Sequence, residues 1–390
     1  MRALVIVPIV LAALAGTAAA YPQFQLSRDT TCGSCHIAPE GGDLLNENGL
    51  NTAEEISQFG TNPAFLNGLF KMPSWLMLGG DLRGATGFVQ APQKYLETFP
   101  MQADLYGSAK FAGHFHINVT LGYRPPENGN AGATSVWSRE HYVMWQQHAD
   151  DALGLFLRVG RFMPIFGLRF AEHPEFTRQY GGTPLYSETY GAAVEYIEPT
   201  WEAHLTGFIV DPLIDPVSHA NGVAAYTELR PTERAAVGAE TMVAINDDCG
   251  GCLHRYSETV RVGATGKYWM PDAQLLVQGE LQYVDQHIVT TNTSQIVGTV
   301  MATRFLPAGL MADLALNYFN EAVGVKGVDR EAVDLNVHWF ATSHVELLLT
   351  TRAALVGFTV RAVPDTPAGM DPTTGAPFGS YVLLQAHYRL

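Results

Sequence analysis

The sequence predicts an all-β fold, a transmembrane antiparallel barrel of about sixteen strands behind a short N-terminal segment that is mainly irregular or helical. Three observations predict it. From Leu76 to the end, the chain repeats segments of about ten residues in which apolar and polar side chains alternate, with turn residues between them. The connections alternate in length, with brief turns such as Ala112-Gly113, Pro231-Thr232 and Thr342-Ser343 between longer loops such as 124–136, 164–185 and 361–379. Composition agrees: 38 glycines, 16 tyrosines and 19 phenylalanines accompany only 16% charged residues.

Taken in order, residues 1–20 read as a secretory signal peptide. Arg2 precedes an apolar run from Leu4 to Leu14, and Ala18-Ala19-Ala20 supplies small residues before Tyr21. Losing Arg2 takes the formal charge from −15 to −16, a balance that disfavours nucleic acid and attracts cations. No later stretch has the 18 or more apolar residues of a transmembrane helix, so the expected destination is the periplasm, the outer membrane or the medium.

Residues 21–75 form the next unit, centred on Cys32-Gly33-Ser34-Cys35-His36. C-x-x-C-H is the attachment signature of one covalent haem c: the two thiols add to the two vinyl groups and the adjoining histidine becomes the proximal iron ligand. The rival readings are a disulfide or a thioredoxin-like pair; the latter wants a βαβ setting, whereas these flanks are polar, Gly-rich and short. Asn51-Thr52-Ala53-Glu54 then predicts a helix N-cap and one small helix over 52–58. A six-coordinate haem needs a distal ligand. Met72, in Lys71-Met72-Pro73, is the first candidate, against the plain alternative of an apolar contact, and His114 and His116 are the runners-up because both are expected to face the lumen near the same rim.

Residues 76–390 are the barrel. Phe115, Ile117, Val119, Leu121 and Tyr123 fall on one face of their segment, and His114, His116, Asn118 and Thr120 on the other. The split recurs at Leu275, Val277, Leu281 and Tyr283 against Gln274, Gln278, Glu280 and Gln282, and at Val333, Leu335, Val337 and Trp339 against Asp334, Asn336 and His338. A soluble β-sandwich also alternates, but short turns on one rim and long loops on the other are the outer-membrane arrangement, with lipid outside. An even strand count puts both ends on the short-turn, periplasmic side. His204 and His338 are read as lumen-lining residues, and the loop bearing His173, Glu175 and Arg178 either folds into the lumen or stays solvated. The last strand, 381–390, resembles the C-terminal targeting strand of outer-membrane proteins, with Leu390 where phenylalanine is commoner.

A second pair, Cys249 and Cys252, sits in a predicted extracellular loop with Asp247, Asp248 and His254 beside it. The histidine comes one place too late for a second haem motif. A loop disulfide suits an oxidising compartment, and a metal contact through these thiolate, carboxylate and imidazole donors is the alternative.

Pro22, Phe24, then Cys32 eight residues on, His36, Pro39, Leu45-Asn46 and Gly49 resemble the head of the fused outer-membrane monohaem cytochrome–porins of iron-oxidising bacteria. Arg158-Val159-Gly160-Arg161-Phe162-Met163-Pro164 through Gly167-Leu168-Arg169 resembles a strand and loop of porin-like proteins more generally. Leu26 stands where that family has arginine, with Arg28 instead, and 51–70 departs from the pattern. The resemblance implies electron transfer from an extracellular donor such as Fe²⁺ to a periplasmic cytochrome c. Outward transfer, or a diffusion porin with a haem-bearing plug, fits the same residues. No nucleophile–base pair, phosphate loop or spaced carboxylate pair points to other catalysis, and the sequence selects no oligomeric state.

Overall fold

Alternating apolar and polar residues satisfy both sides of a sheet only if the sheet closes on itself, with one face toward lipid and the other toward a polar interior. In the computed structural model sixteen strands do this, from β1 (Leu76–Ala91) to β16 (Ser380–Arg389), each antiparallel to its neighbours in the chain, and β1 pairs β16 to complete the ring. The structure describes residues 23–42, 44–91, 93–123, 136–149, 151–171, 174–182, 187–209, 221–247, 256–288, 291–356 and 380–390.

The predicted faces are the observed ones. Along β3 (Phe115–Tyr123), Phe115, Ile117, Val119 and Leu121 point outward and exposed, while His116, Asn118 and Thr120 are buried inward. β11 (Leu275–Ile288) exposes Leu281 and Tyr283 and buries Gln278, Glu280 and Gln282. β14 (Asp329–Thr342) exposes Leu335 and buries Asp334, Asn336 and His338. In β16, Val382 and Leu384 face out, and Gln385 and His387 face in. An apolar exterior around a polar interior inverts the arrangement of a protein bathed in water, and a bilayer is the solvent that satisfies it. His114 departs from its expected place. It lies in the turn before β3, half-buried, with its Nδ1 3.0 Å from the Gln146 carbonyl, because β3 begins at Phe115 and leaves His114 outside the alternating strand.

The lumen is filled by two parts of the chain. The first follows β5 (Gly154–Phe162): residues 163–171 and 174–182 turn inward, bury Phe166, Phe170 and Phe176, and make a short helix at Phe176–Gln179. Asn317 holds this segment by donating to Glu175 at 2.7 Å and accepting from the Phe176 amide at 2.9 Å, and Tyr180 stacks on Phe319 at 4.4 Å. This is the inward alternative for that loop; of its three singled-out residues, Glu175 is buried and His173 lies outside the described residues.

The second is the N-terminal segment, which plugs the short-turn mouth. It comprises a one-turn helix α1 (Gln23–Ser27), the cysteine motif, helix α2 (Glu47–Ile56) and an exit to β1 that carries one short helical turn at Phe65–Gly68. Buried Gln25 donates to Glu202 at 3.4 Å and accepts from Lys267. Leu26 packs with Ala236, Trp269 and Leu276. Glu40 meets Arg158 at 2.5 Å, and Arg169 donates to the Glu40 and Gly41 carbonyls at 2.6 and 3.1 Å. On the way out, the Gln58 and Phe59 amides donate to the carbonyls of Phe340 and Ala341 at 2.9 and 3.0 Å, and the Trp339 indole donates to Gln58 at 2.8 Å. α2 differs from the predicted helix over 52–58. It starts at Glu47, capped by Asn46 rather than by Asn51, because the Asn46 side chain accepts from the Gly49 amide.

Candidate functional site

The cysteine motif folds as a tight 3₁₀ turn, Cys32–Ser34, in which the amides of Cys35 and His36 both donate to the Cys32 carbonyl at 3.1 Å. Asn46 staples this turn to α2. Its side-chain amide donates to the carbonyls of Gly33 (3.1 Å) and His36 (3.2 Å), while its oxygen caps the helix. Gly49 then permits the close approach: a Cβ there would lie 2.0 Å from the Cys35 carbonyl oxygen, so any side chain would push α2 off the turn. A strand-like bridge between His36 and Leu45 closes the loop between motif and helix.

These constraints bring Cys32, Cys35 and His36 to one cleft, lined further by Phe24, Ala53 and Ile56 of the plug and by Phe340 and Arg389 of the barrel wall. The cleft is partly open to solvent. The two thiols are not joined to each other. Burial pushes the Cys32 thiol up to about 12, with Glu202 adding to the effect, and raises Cys35 as well against the opposing hydrogen bond of Thr52. His36 is buried, and that burial takes its imidazole down to about 4 despite the hydrogen bond to Gly42. The ring is therefore neutral. Its Nδ1–H donates to the Gly42 carbonyl at 2.8 Å, which leaves the Nε2 lone pair without a partner among the described residues. A carbonyl that holds one ring nitrogen fixes the tautomer and the ring's orientation, as it does for a metal-ligating histidine, and leaves the other nitrogen able to ligate.

The residues present thus fit a c-type haem: two thiols, a preoriented imidazole, an apolar lining and the Arg389 cation to meet a carboxylate. The other sequence candidates are not gathered here. Met72 is half-buried in the exit segment and does not line the cleft, nor does His114 or His116; His116 is buried on the lumen face of β3. His204 and His338 are lumen residues between carboxylates, Glu195 and Glu202 for the first, Asp313 and Glu346 for the second. Cys249 and Cys252, with Asp248 and His254, lie outside the described residues. Sequence reasoning missed Phe340 and Arg389, for which only the barrel's register supplies a reason, and the Glu40–Arg158 pair. The Asn-Glu-Asn-Gly run at 46–49 was the one local signal for the helix start.

No protein-family model matches the chain, and no curated protein sequence does. Solved structures do. The chain is similar in fold to an anion-selective porin from Comamonas acidovorans, at 13% identity and a TM-score of 0.56, with 80% of this chain and 98% of that one covered. It is also similar to OmpF of Salmonella typhi in a complex with daunomycin (12%, TM-score 0.58, 81% and 97%) and to in-vitro folded OmpT of Vibrio cholerae in a trimer form (11%, TM-score 0.56, 81% and 99%). At such identities the likeness is one of fold: a closed sixteen-stranded barrel of the outer-membrane porin class.

Proposed function

We propose that this protein is an outer-membrane cytochrome–porin, carrying one covalent haem c in the plug of a porin-like barrel and passing electrons from an extracellular donor such as Fe²⁺ to a periplasmic cytochrome c. The observation that carries the reading is the convergence of Cys32, Cys35 and the free Nε2 of His36 on one cleft between plug and wall. A haem bound there supplies a one-electron iron couple. The chain's own residues do the rest. Cys32 and Cys35 tether, His36 ligates, Phe24, Ile56 and Phe340 exclude water, and Arg389 meets a carboxylate at the rim. The cleft lies at the short-turn mouth, the periplasmic side in porin-like barrels, within reach of a soluble acceptor. The acidic balance of the chain, −15, favours a cationic donor.

A second reading, a diffusion porin with a haem-bearing plug, is favoured by the fold shared with an anion-selective porin. Against it stand the two segments held inside the barrel, the plug and residues 163–171 with 174–182. The test is one preparation and two measurements: the full chain, made in a host that matures c-type cytochromes, is mixed anaerobically with Fe²⁺ and also placed in planar bilayers. Covalent haem that Fe²⁺ reduces, with little conductance, supports electron transfer. Open-channel conductance with a haem inert to Fe²⁺ supports the plugged porin, and a chain without covalent haem overturns both.

A further inference from the structure

The cleft presents His36 from the plug side, and its lining includes no methionine and no second histidine. A six-coordinate haem held by His36 would take its second protein ligand from a neighbouring element. The buried imidazoles of the described residues narrow the choice, because a ring with both nitrogens engaged has no lone pair to offer. His338 has Nε2 2.9 Å from Asp313 and Nδ1 2.6 Å from Glu346. His204 has its two nitrogens 3.2 and 3.6 Å from Glu195 and Glu202. His344 bridges the carbonyls of Arg389 and Asn62, each at 2.6 Å.

His116 is buried on the lumen face of β3 and lines neither the cleft nor the pocket beside it. His387 differs in lining that pocket. It lies on the lumen face of β16, 4% exposed, with Nδ1 hydrogen-bonded to Glu346, while Nε2 is buried and has no hydrogen-bond partner. An unpaired polar nitrogen so buried is costly unless something binds it. Its surroundings point to what that is. His387 lines a small pocket that shares Ala53, Ile56, Phe340 and Arg389 with the cleft of Cys32, Cys35 and His36. Arg389 follows His387 by two residues on the same face of the strand, a step of about 7 Å. The wall histidine also repeats the arrangement of the plug histidine, with Nδ1–H donated to an oxygen and Nε2 left without a hydrogen-bond partner. Glu346 is itself held by His338, so the ring belongs to a buried chain of fixed orientation, Asp313–His338–Glu346–His387.

We infer that His387 of the final strand is the distal iron ligand of the haem held by His36, so that the two axial ligands come one from the plug and one from the barrel wall. This rests on the haem reading above. It replaces Met72, His114 and His116 in that role, and it adds to the contacts that hold the plug to the wall. Two imidazoles set a lower reduction potential than a histidine–methionine pair.

The test uses the full-length holoprotein in detergent. Ferric wild type is expected to show a low-spin, bis-imidazole electron paramagnetic resonance spectrum. His387→Ala is expected to convert it wholly to high spin while keeping covalent haem, with low spin restored by added imidazole. His387→Met, which keeps the volume should the alanine variant fail to fold, is expected to raise the potential. Met72→Leu is expected to leave spectrum and potential unchanged. A high-spin wild type, or a low-spin spectrum unaltered in both His387 variants, overturns the inference while leaving the haem reading in place. A wild type with no covalent haem by mass overturns the haem reading itself.

Discussion

Along the barrel wall a side chain is constrained chiefly by the face it occupies: Val119, Leu281 and Leu384 need only be apolar, and their neighbours Asn118, Gln282 and Gln385 only polar. In the plug, individual atoms are committed. One asparagine holds two carbonyls and a helix amide, one glycine makes room for one oxygen, and one glutamate answers a buried arginine. The wall therefore tolerates porin structures only 11–13% identical to it, whereas the plug's geometry depends on a handful of named residues. The barrel is a fold shared by many sequences. The site is built on it by a segment with its own, stricter chemistry.

The comparison breaks most visibly at the thiols. Cys32→Ser with Cys35→Ser is expected to abolish covalent haem, read by mass, while the barrel keeps its heat-modifiable migration; loss of the barrel as well would make the plug a folding element of the wall. Glu40→Ala comes next. It leaves Arg158, 1% exposed, with Glu195 alone at 3.2 Å, and removing one member of a buried pair costs about 3 kcal/mol. The plug should loosen, seen as faster proteolysis within 23–75 and a rise in single-channel conductance. Gly49→Ala forces α2 away from Cys35, an overpacking cost of about 2 kcal/mol, and should lower haem loading.

Acid acts on the same segment with a definite sign. The His36 ring titrates at about 4 in the folded chain against 6.5 ordinarily, so the unfolded plug binds a proton first as pH falls. Its stability is unaffected above pH 6.5 and declines between 6.5 and 4, by about 2 kcal/mol at pH 5. In the haem-free double-serine protein, plug proteolysis should quicken from pH 7 to 5. A His36→Gln version should lose that part of the dependence, which separates it from the opposite slope of Glu40, whose carboxyl burial raises. The smallest effect belongs to the wall: Leu281→Val is expected to change barrel stability in urea by less than about 0.5 kcal/mol.

The period-two alternation determined the barrel, because each strand in lipid must sort its side chains onto two faces, and that sorting is written residue by residue along the chain. The five-residue cysteine motif carries the proposed haem chemistry in the same local way, since thiol and imidazole spacing is read within five residues. The helix start was half legible: the Asn46 cap was present in the sequence, yet Gly49 disguised it, and its role appears only once Cys35 is beside it. Phe340, Arg389, Glu346 and His387 lie some 300 residues from Cys32, and nothing near them in sequence marks them. Only closure of β16 onto β1 carries them to the mouth that the plug enters, since the register of a ring, unlike the alternation of a strand, is a property of all sixteen strands together.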